Sequence, residues 1–313
     1  MVSNKPPIDL KNRKFLLQLG LVPVIMLAMS LNGTFPSTER IAVAFIFAFI
    51  WTANGRAFLV EFAPFLMLLV AYKQARNFAD DFSRSEINVE NLIEWERALF
   101  GGTLPSVVVQ EQMWDRWYTP ILDVITNALY LSHFLSPLVL AVFLWQRARR
   151  LYWSYAVGLV VLSYVAFAVY VLFPAAPPWW ATMYGYLPDD PILLDHFAVS
   201  ADTVAKGANP VAAMPSLHAA YPTYIALVAI AVWGRKALPV IALPLAVVFA
   251  TVYLGHHYLI DALAGALLSL AAFAVIFLPL DRWINARRAV PATVAVEPAP
   301  ATADKRPSAQ PRT

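Results

Sequence analysis

Two short segments carry three of the chain's five histidines: Pro215-Ser216-Leu217-His218 and His256-His257-Tyr258-Leu259-Ile260-Asp261. Each lies where a non-helical stretch meets an apolar run, so each can hold an imidazole at a membrane surface. Imidazole is the group whose ordinary pKa permits proton donation and nucleophilic attack near neutral pH. His257 and Asp261 stand four residues apart at the start of a helical run and share a face. A carboxylate accepting from one ring nitrogen fixes the tautomer and leaves the other nitrogen's lone pair available to attack. It also stabilises the charge that develops on the ring. The same spacing fits a structural His–Asp pair pinning two helices, and spacing does not separate the two readings. An aspartate in an apolar segment needs a partner in either case.

Pro215 and Ser216 before an apolar run form a helix start with Ser216 as N-cap. Amides at such an end carry partial positive charge and can hold a phosphate. His218, in the first turn, would face the same anion and could protonate a leaving oxygen. His256, next to His257, faces another direction and reads as a hydrogen-bonded interfacial residue. His133 and His196 have no comparable neighbours in sequence. With no cysteine and few carboxylates near the histidines, neither a metal nor a haem site is predicted, and no cofactor is expected.

The elements that must position these groups are membrane spans. Of 313 residues, 60% are hydrophobic and 14% charged, and the mean hydropathy is +0.60. That charge is too sparse to cover a soluble domain of this size. Apolar runs predict spans at roughly 15–31, 40–56, 57–73, 120–145, 151–173, 216–233, 237–255 and 258–280. The fold class is therefore all-α: a polytopic bundle of about six core spans with N-terminal additions. The segments divide as 1–118 (N-terminal spans and an interfacial helix), 119–285 (catalytic core) and 286–313 (a Pro-, Ala- and Thr-rich tail expected to be disordered). The first run, Phe15 to Leu31, lacks a convincing cleavage site and is expected to stay as a helix.

Within 86–118, Ile87, Leu92, Ile93, Trp95, Leu99 and Phe100 recur at helical spacing among Glu90, Glu94, Glu96 and Arg97, and Gly101-Gly102 ends the pattern. This reads as an amphipathic helix in the interface plane. The net charge of +3 and pI near 9.0 do not point to nucleic acid, because the basic residues gather at span ends. Lys11, Arg13, Lys14, Arg147, Arg149, Arg150, Arg235, Lys236, Arg282, Arg287 and Arg288 fall on one side of the bundle, the cytoplasmic side by the positive-inside rule. The His218 and His257 loops then face outward, and a plasma-membrane location is expected. Lys73, Arg76 and Arg84 break the rule and are candidate phosphate ligands.

The run Ala212-Ala213-Met214-Pro215-Ser216-Leu217-His218, then Tyr253, then His256-His257-Tyr258-Leu259-Ile260-Asp261-Ala262-Leu263-Ala264-Gly265, resembles the type 2 phosphatidic acid phosphatase superfamily. The doubled histidine is similar to its inositol phosphorylceramide synthase-like branch. So is Phe173-Pro174-Ala175-Ala176-Pro177-Pro178-Trp179, a proline–tryptophan motif following a span. The resemblance covers roughly 151–280 well and the N-terminal half loosely. It implies His257 as nucleophile forming a phosphohistidine, Asp261 as its orienting acid, and His218 as acid and then base. Ser216 and nearby amides would bind phosphate. Where the broader superfamily has an arginine shortly before the nucleophile, this chain has Ala250 and Thr251. That departure suits the branch, and it requires another cation for the phosphoryl oxygens. Arg76, Lys206 and Arg84 are the candidates, while His256, Tyr253 and Trp179 complete the substrate-binding set. The expected activity is transfer of a phosphate or phospho-head-group from a lipid-linked donor to a hydroxyl. The alternatives are a lipid phosphate phosphatase, with water as acceptor, and a proton-coupled lipid transporter. Substrate and bilayer are the expected partners; protein partners are left open.

Overall fold

Apolar length sets where the chain becomes helical. The computed structural model describes residues 55–77, 86–187 and 212–289, with a few single positions between 17 and 44. Apart from those single positions and residues 55–56, the predicted spans 15–31 and 40–56 lie outside the described residues, as do Arg84, His196, Lys206 and the tail after 289. In chain order the helices are α1 (Gly55–Asn77), α2 (Glu90–Leu99), α3 (Pro105–Met113), α4 (Thr119–Arg147), α5 (Arg149–Leu172) and α6 (Pro178–Met183). They continue with α7 (Leu217–Trp233), α8 (Ala242–Tyr253), α9 (Leu259–Ala272) and α10 (Leu278–Ala289). A 3-10 stretch, Gly234–Ile241, joins α7 to α8, and a π turn, Phe273–Phe277, joins α9 to α10. The described residues contain no strand, only isolated bridges of Ala175 with Asn88 and with Ala212.

Four stretches are long and apolar enough to cross a membrane: Ala57–Arg76, Arg149–Leu172, Leu217–Tyr253 and Leu259–Ile284. Helix α4 makes a fifth when its two halves count as one span. Those halves, Thr119–His133 and Leu135–Arg147, meet at 49°. Pro137 explains the bend: it has no N–H for the carbonyl one turn earlier, at His133, and its ring crowds that carbonyl. The 37 residues of Leu217–Tyr253 would extend about 55 Å as one helix, well beyond a hydrocarbon core of about 30 Å. They fold instead as a hairpin at Gly234 (φ 62°), so that His218 at one end meets His257 just past the other. This matches the two separate spans read from sequence.

Lipid-facing helices gain little hydrophobic free energy by associating, so packing and buried hydrogen bonds hold the bundle. Away from the histidines, Phe58, Phe62, Trp145 and Tyr152 form a ring cluster between α1, α4 and α5. There Glu61 accepts from Trp145 Nε1 at 2.9 Å and pairs with Arg149 at 3.1 Å. Arg150 pairs with Asp281 at 3.0 Å. Nearer the histidines, small residues set the spacing of α7 and α9. A Cβ on Gly265 would sit 2.1 Å from the Ser216 carbonyl oxygen, and Ser269 donates to the Ala220 carbonyl at 2.6 Å. Gly265→Ala is therefore expected to push α7 off α9. The cost should be about 1–3 kcal/mol, read as a lower unfolding temperature in detergent, with activity lost in step.

Helices α2, α3 and α6 cap the histidine end of the bundle. Helix α2 has the predicted amphipathic pattern, and only part of its apolar set turns inward. Leu92, Ile93 and Glu96 are buried, whereas Trp95 and Leu99 are exposed. Gly101 (φ 68°) and Gly102 (φ 91°) end the helix in the left-handed conformation that glycine adopts without strain.

Candidate active site

Two helix starts and one helix end converge here. Ser216 caps α7, its Oγ accepting from the Ala219 amide at 3.4 Å, and His218 follows in the first turn. The start of α9 lies alongside, because the Ser216 amide donates to the Asp261 carbonyl at 2.9 Å. The end of α8 turns at Gly255, where the amides of His256 and His257 both donate to the Thr251 carbonyl, at 2.9 and 3.3 Å. Thr251, at the position where an arginine was missed in the sequence, is wholly buried and donates to the Val248 carbonyl.

The resulting chain of polar groups is short. His218 Nδ1 lies 3.1 Å from His257 Nε2, and His257 Nδ1 lies 3.5 Å from Asp261 Oδ2. Asp261 is completely buried, and the same Oδ2 accepts from the Tyr258 amide at 3.0 Å. A buried carboxylate facing Nδ1 assigns the ring proton to that nitrogen, so His257 Nε2 holds the lone pair and His218 Nδ1 donates to it. The free lone pair of the pair is thus on Nε2 of His257.

Beside these rings is a cavity of about 80 Å³, lined by Tyr72, Lys73, Arg76, His133, Tyr170, His218, Tyr221 and His257 together with apolar side chains of α1, α4, α5 and α7. A water needs roughly 10–15 Å³ on this measure. The cavity therefore has room for a small polar group beside the rings. Arg76 and Lys73 bring positive charge to it from the end of α1, so two of the three cations that broke the charge-sidedness rule face the cavity. Lys206 and Arg84 are outside the described residues.

The other predicted site residues sit around the cavity, not in its wall. Tyr253 turns away and donates to Asp123 Oδ1 at 2.6 Å, while Gln110 Nε2 donates to its carbonyl at 2.8 Å. Trp179 is buried in the cap, and its amide donates to the Gly255 carbonyl at 3.1 Å. The proline–tryptophan segment also receives the Ala213 amide on the Ala175 carbonyl at 3.0 Å. It thus ties down both loops that lead into the histidines. His256 stacks on Tyr130 at 4.6 Å. Burial, and then the nearby His257, push His256 down to about 3, so it stays neutral at working pH. His256→Gln is expected to leave the acid limb of the pH–activity profile in place, as measured by initial rates between pH 5 and 8.

Sequence reasoning missed a second ring layer. Tyr130 stacks on His218 at 4.3 Å, and the His133 ring lies 3.6 Å from that of His218. His133 Nδ1 is 2.6 Å from the Tyr130 carbonyl, which assigns that nitrogen its proton. His133 was set aside for lack of neighbours in sequence; the α4 bend supplies them in space. The one available signal was a histidine inside an apolar span, four residues before a proline. The tyrosines of the cavity wall gave no signal, whereas Glu96 falls on the apolar face of its helix with Leu92 and Ile93.

A family model described as the PAP2 superfamily matches residues 90–275. The phosphoinositol dihydroceramide synthase of Bacteroides thetaiotaomicron is 30% identical over 251 residues, covering 73% of this chain and 80% of that protein. The inositol phosphorylceramide synthase of Candida albicans is 25% identical over 253 residues, covering 74% and 51%. The inositol phosphorylceramide synthase catalytic subunit of Saccharomyces cerevisiae is 27% identical over 230 residues, covering 69% and 56%. The chain spans about half the length of these two fungal relatives. No solved structure matches it significantly. His218, His257, Asp261 and the cap lie inside the matched region, with Arg76 just before it, and on that match the chain belongs to the PAP2 superfamily.

Proposed function

We propose that the protein is a membrane phosphotransferase that moves a phosphorylated head group from a lipid donor to a lipid hydroxyl through a covalent adduct on His257. The observation that carries this reading is the line His218–His257–Asp261, with contacts of 3.1 and 3.5 Å beside a cavity holding Arg76. The names of the relatives, a phosphoinositol dihydroceramide synthase and an inositol phosphorylceramide synthase, support a phosphoinositol head group as cargo and a ceramide or dihydroceramide as acceptor.

In the first step His257 Nε2 attacks phosphorus. A P–N bond forms, the P–O bond to the donor lipid breaks, and His218 gives its proton to the departing alkoxide. In the second step the acceptor hydroxyl attacks the same phosphorus. A P–O bond forms, the P–N bond breaks, and His218 takes the hydroxyl's proton. Asp261 keeps Nδ1 of His257 protonated and balances the ring charge of the adduct. Arg76, Lys73 and the amides at the start of α7 take the charge on the non-bridging oxygens. A 3.1 Å contact leaves no room for phosphorus between the two rings, so bound substrate parts them.

His218→Ala is expected to lower the rate on the order of 10²–10⁴ in each half-reaction while the protein still inserts. Single-turnover kinetics with and without acceptor check this. The function itself is tested with labelled phosphoinositol lipid in nanodiscs, plus or minus a ceramide. The expected product is a new phosphodiester that needs the ceramide. Steady release of labelled inositol phosphate, indifferent to ceramide, would make the protein a hydrolase. Proton-coupled lipid flux without bond cleavage would make it a transporter.

Arg147, Arg149, Arg150, Arg235, Lys236 and Arg282 stand at the end away from the histidines. By the positive-inside rule the active site opens to the outer face of the plasma membrane. Labelling of a single cysteine placed in the Gly255 turn by an impermeant reagent in whole cells supports this orientation. Labelling only after permeabilisation reverses it.

A further inference from the structure

Glu96 stands four residues after Leu92 and three after Ile93, so it is a carboxylate on the apolar face of its helix, and it is fully buried. Its Oε1 accepts from the Leu259 amide at 2.8 Å and its Oε2 from the Ile260 amide at 2.9 Å. The preceding amide, of Tyr258, is taken by Asp261. Every helix start leaves amides without intrahelical partners. At α9 three successive ones are held by two carboxylates, and one of these comes from α2. Two amides gripped by one carboxylate fix the rotation of α9 about its axis as well as its height. That rotation sets where Asp261 Oδ2 points, and His257 lies only two residues before Leu259. Burial lifts Glu96 above the ordinary carboxylate range, the two amides pull it back, and the Asp261 charge lifts it again. Tyr258 and, beyond it, Arg97 are the other ionisable groups nearby.

We propose that Glu96 is a positioning residue for the transfer reaction: through the first amides of α9 it holds Asp261 and His257 in the alignment that attack requires. Helix α2 otherwise rests on the cap through Leu92 and Ile93 and turns Trp95 and Leu99 outward. Glu96 is therefore the link by which an interfacial helix reaches the nucleophile. The inference rests on the function proposed above.

The test compares Glu96→Gln and Glu96→Ala with wild type in nanodiscs, with rates expressed per folded enzyme. Glutamine keeps one acceptor and alanine keeps none. A slip of about 1 Å at a reacting group costs roughly 10²-fold, so kcat should fall about 10-fold in Glu96→Gln and about 10²-fold in Glu96→Ala, with KM little changed. Wild-type kcat in both variants, or a rise in KM alone, overturns the proposal. Should the alanine variant not fold, the glutamine variant decides alone. A His257 adduct in wild type, measured alongside, separates the two ideas. Its absence sinks the transfer mechanism, and its presence with undiminished kcat in the variants sinks only the role of Glu96.

Discussion

His257→Ala should reduce transfer to the uncatalysed background while leaving a correctly inserted, folded bundle. The expected loss exceeds that of any other single change, because in the proposed mechanism the variant lacks the atom that bonds to phosphorus. Removing a nucleophile from a cooperative catalytic unit costs on the order of 10⁶ in rate, against 10²–10⁴ for a proton donor. Folding should survive, since the ring's contacts are His218, Asp261 and the cavity, while the turn itself is held by backbone bonds to Thr251 and Trp179. Initial rates and an unfolding curve on the same preparation provide the check. Activity within tenfold of wild type in His257→Ala would exclude this ring as nucleophile.

The second large effect belongs to Arg76. Phosphoryl transfer leaves the protein little covalent work and much charge to stabilise, and one well-placed arginine contributes roughly 10³–10⁵ in such reactions. Arg76 lines the cavity among Tyr72, Tyr170 and Tyr221, and the position where the superfamily carries an arginine holds a buried threonine, Thr251. Arg76→Ala should therefore lower kcat/KM by about 10³-fold or more. Arg76→Lys should recover part of that loss, because a point charge replaces the planar fork imperfectly. Equal loss in both variants together with a fall in unfolding temperature would assign Arg76 to packing.

Much of the architecture was readable from composition because a membrane limits what a span can be. Runs at 57–73, 151–173 and 258–280 are long and apolar, and each falls on a helix. The division of 216–255 into two passes was also legible, since Arg235 and Lys236 interrupt an otherwise continuous run. The π turn at Phe273–Phe277 was not, because its residues are as apolar as their neighbours. The site divides in the same way. His218, His257 and Asp261 come from two motifs whose local geometry is fixed by helix starts. His133 comes from α4, and only the bend at Pro137 together with the packing of α7 brings it to His218. Glu96 was half legible: helical spacing puts it on the face of Leu92 and Ile93, away from Glu90 and Glu94, but its partners are amides 163 and 164 residues later. Tyr253 shows the opposite failure. Its place in the motif implied a role in binding, and it spends its hydroxyl on Asp123.

The proposed mechanism requires a bond between phosphorus and one nitrogen of His257. Enzyme mixed with labelled phosphoinositol lipid and no acceptor, quenched in alkali and digested, should yield a label on the peptide carrying His257. That label should be lost in acid and discharged when ceramide is added. Full turnover with no label on that peptide, or with the label on another residue, would contradict it.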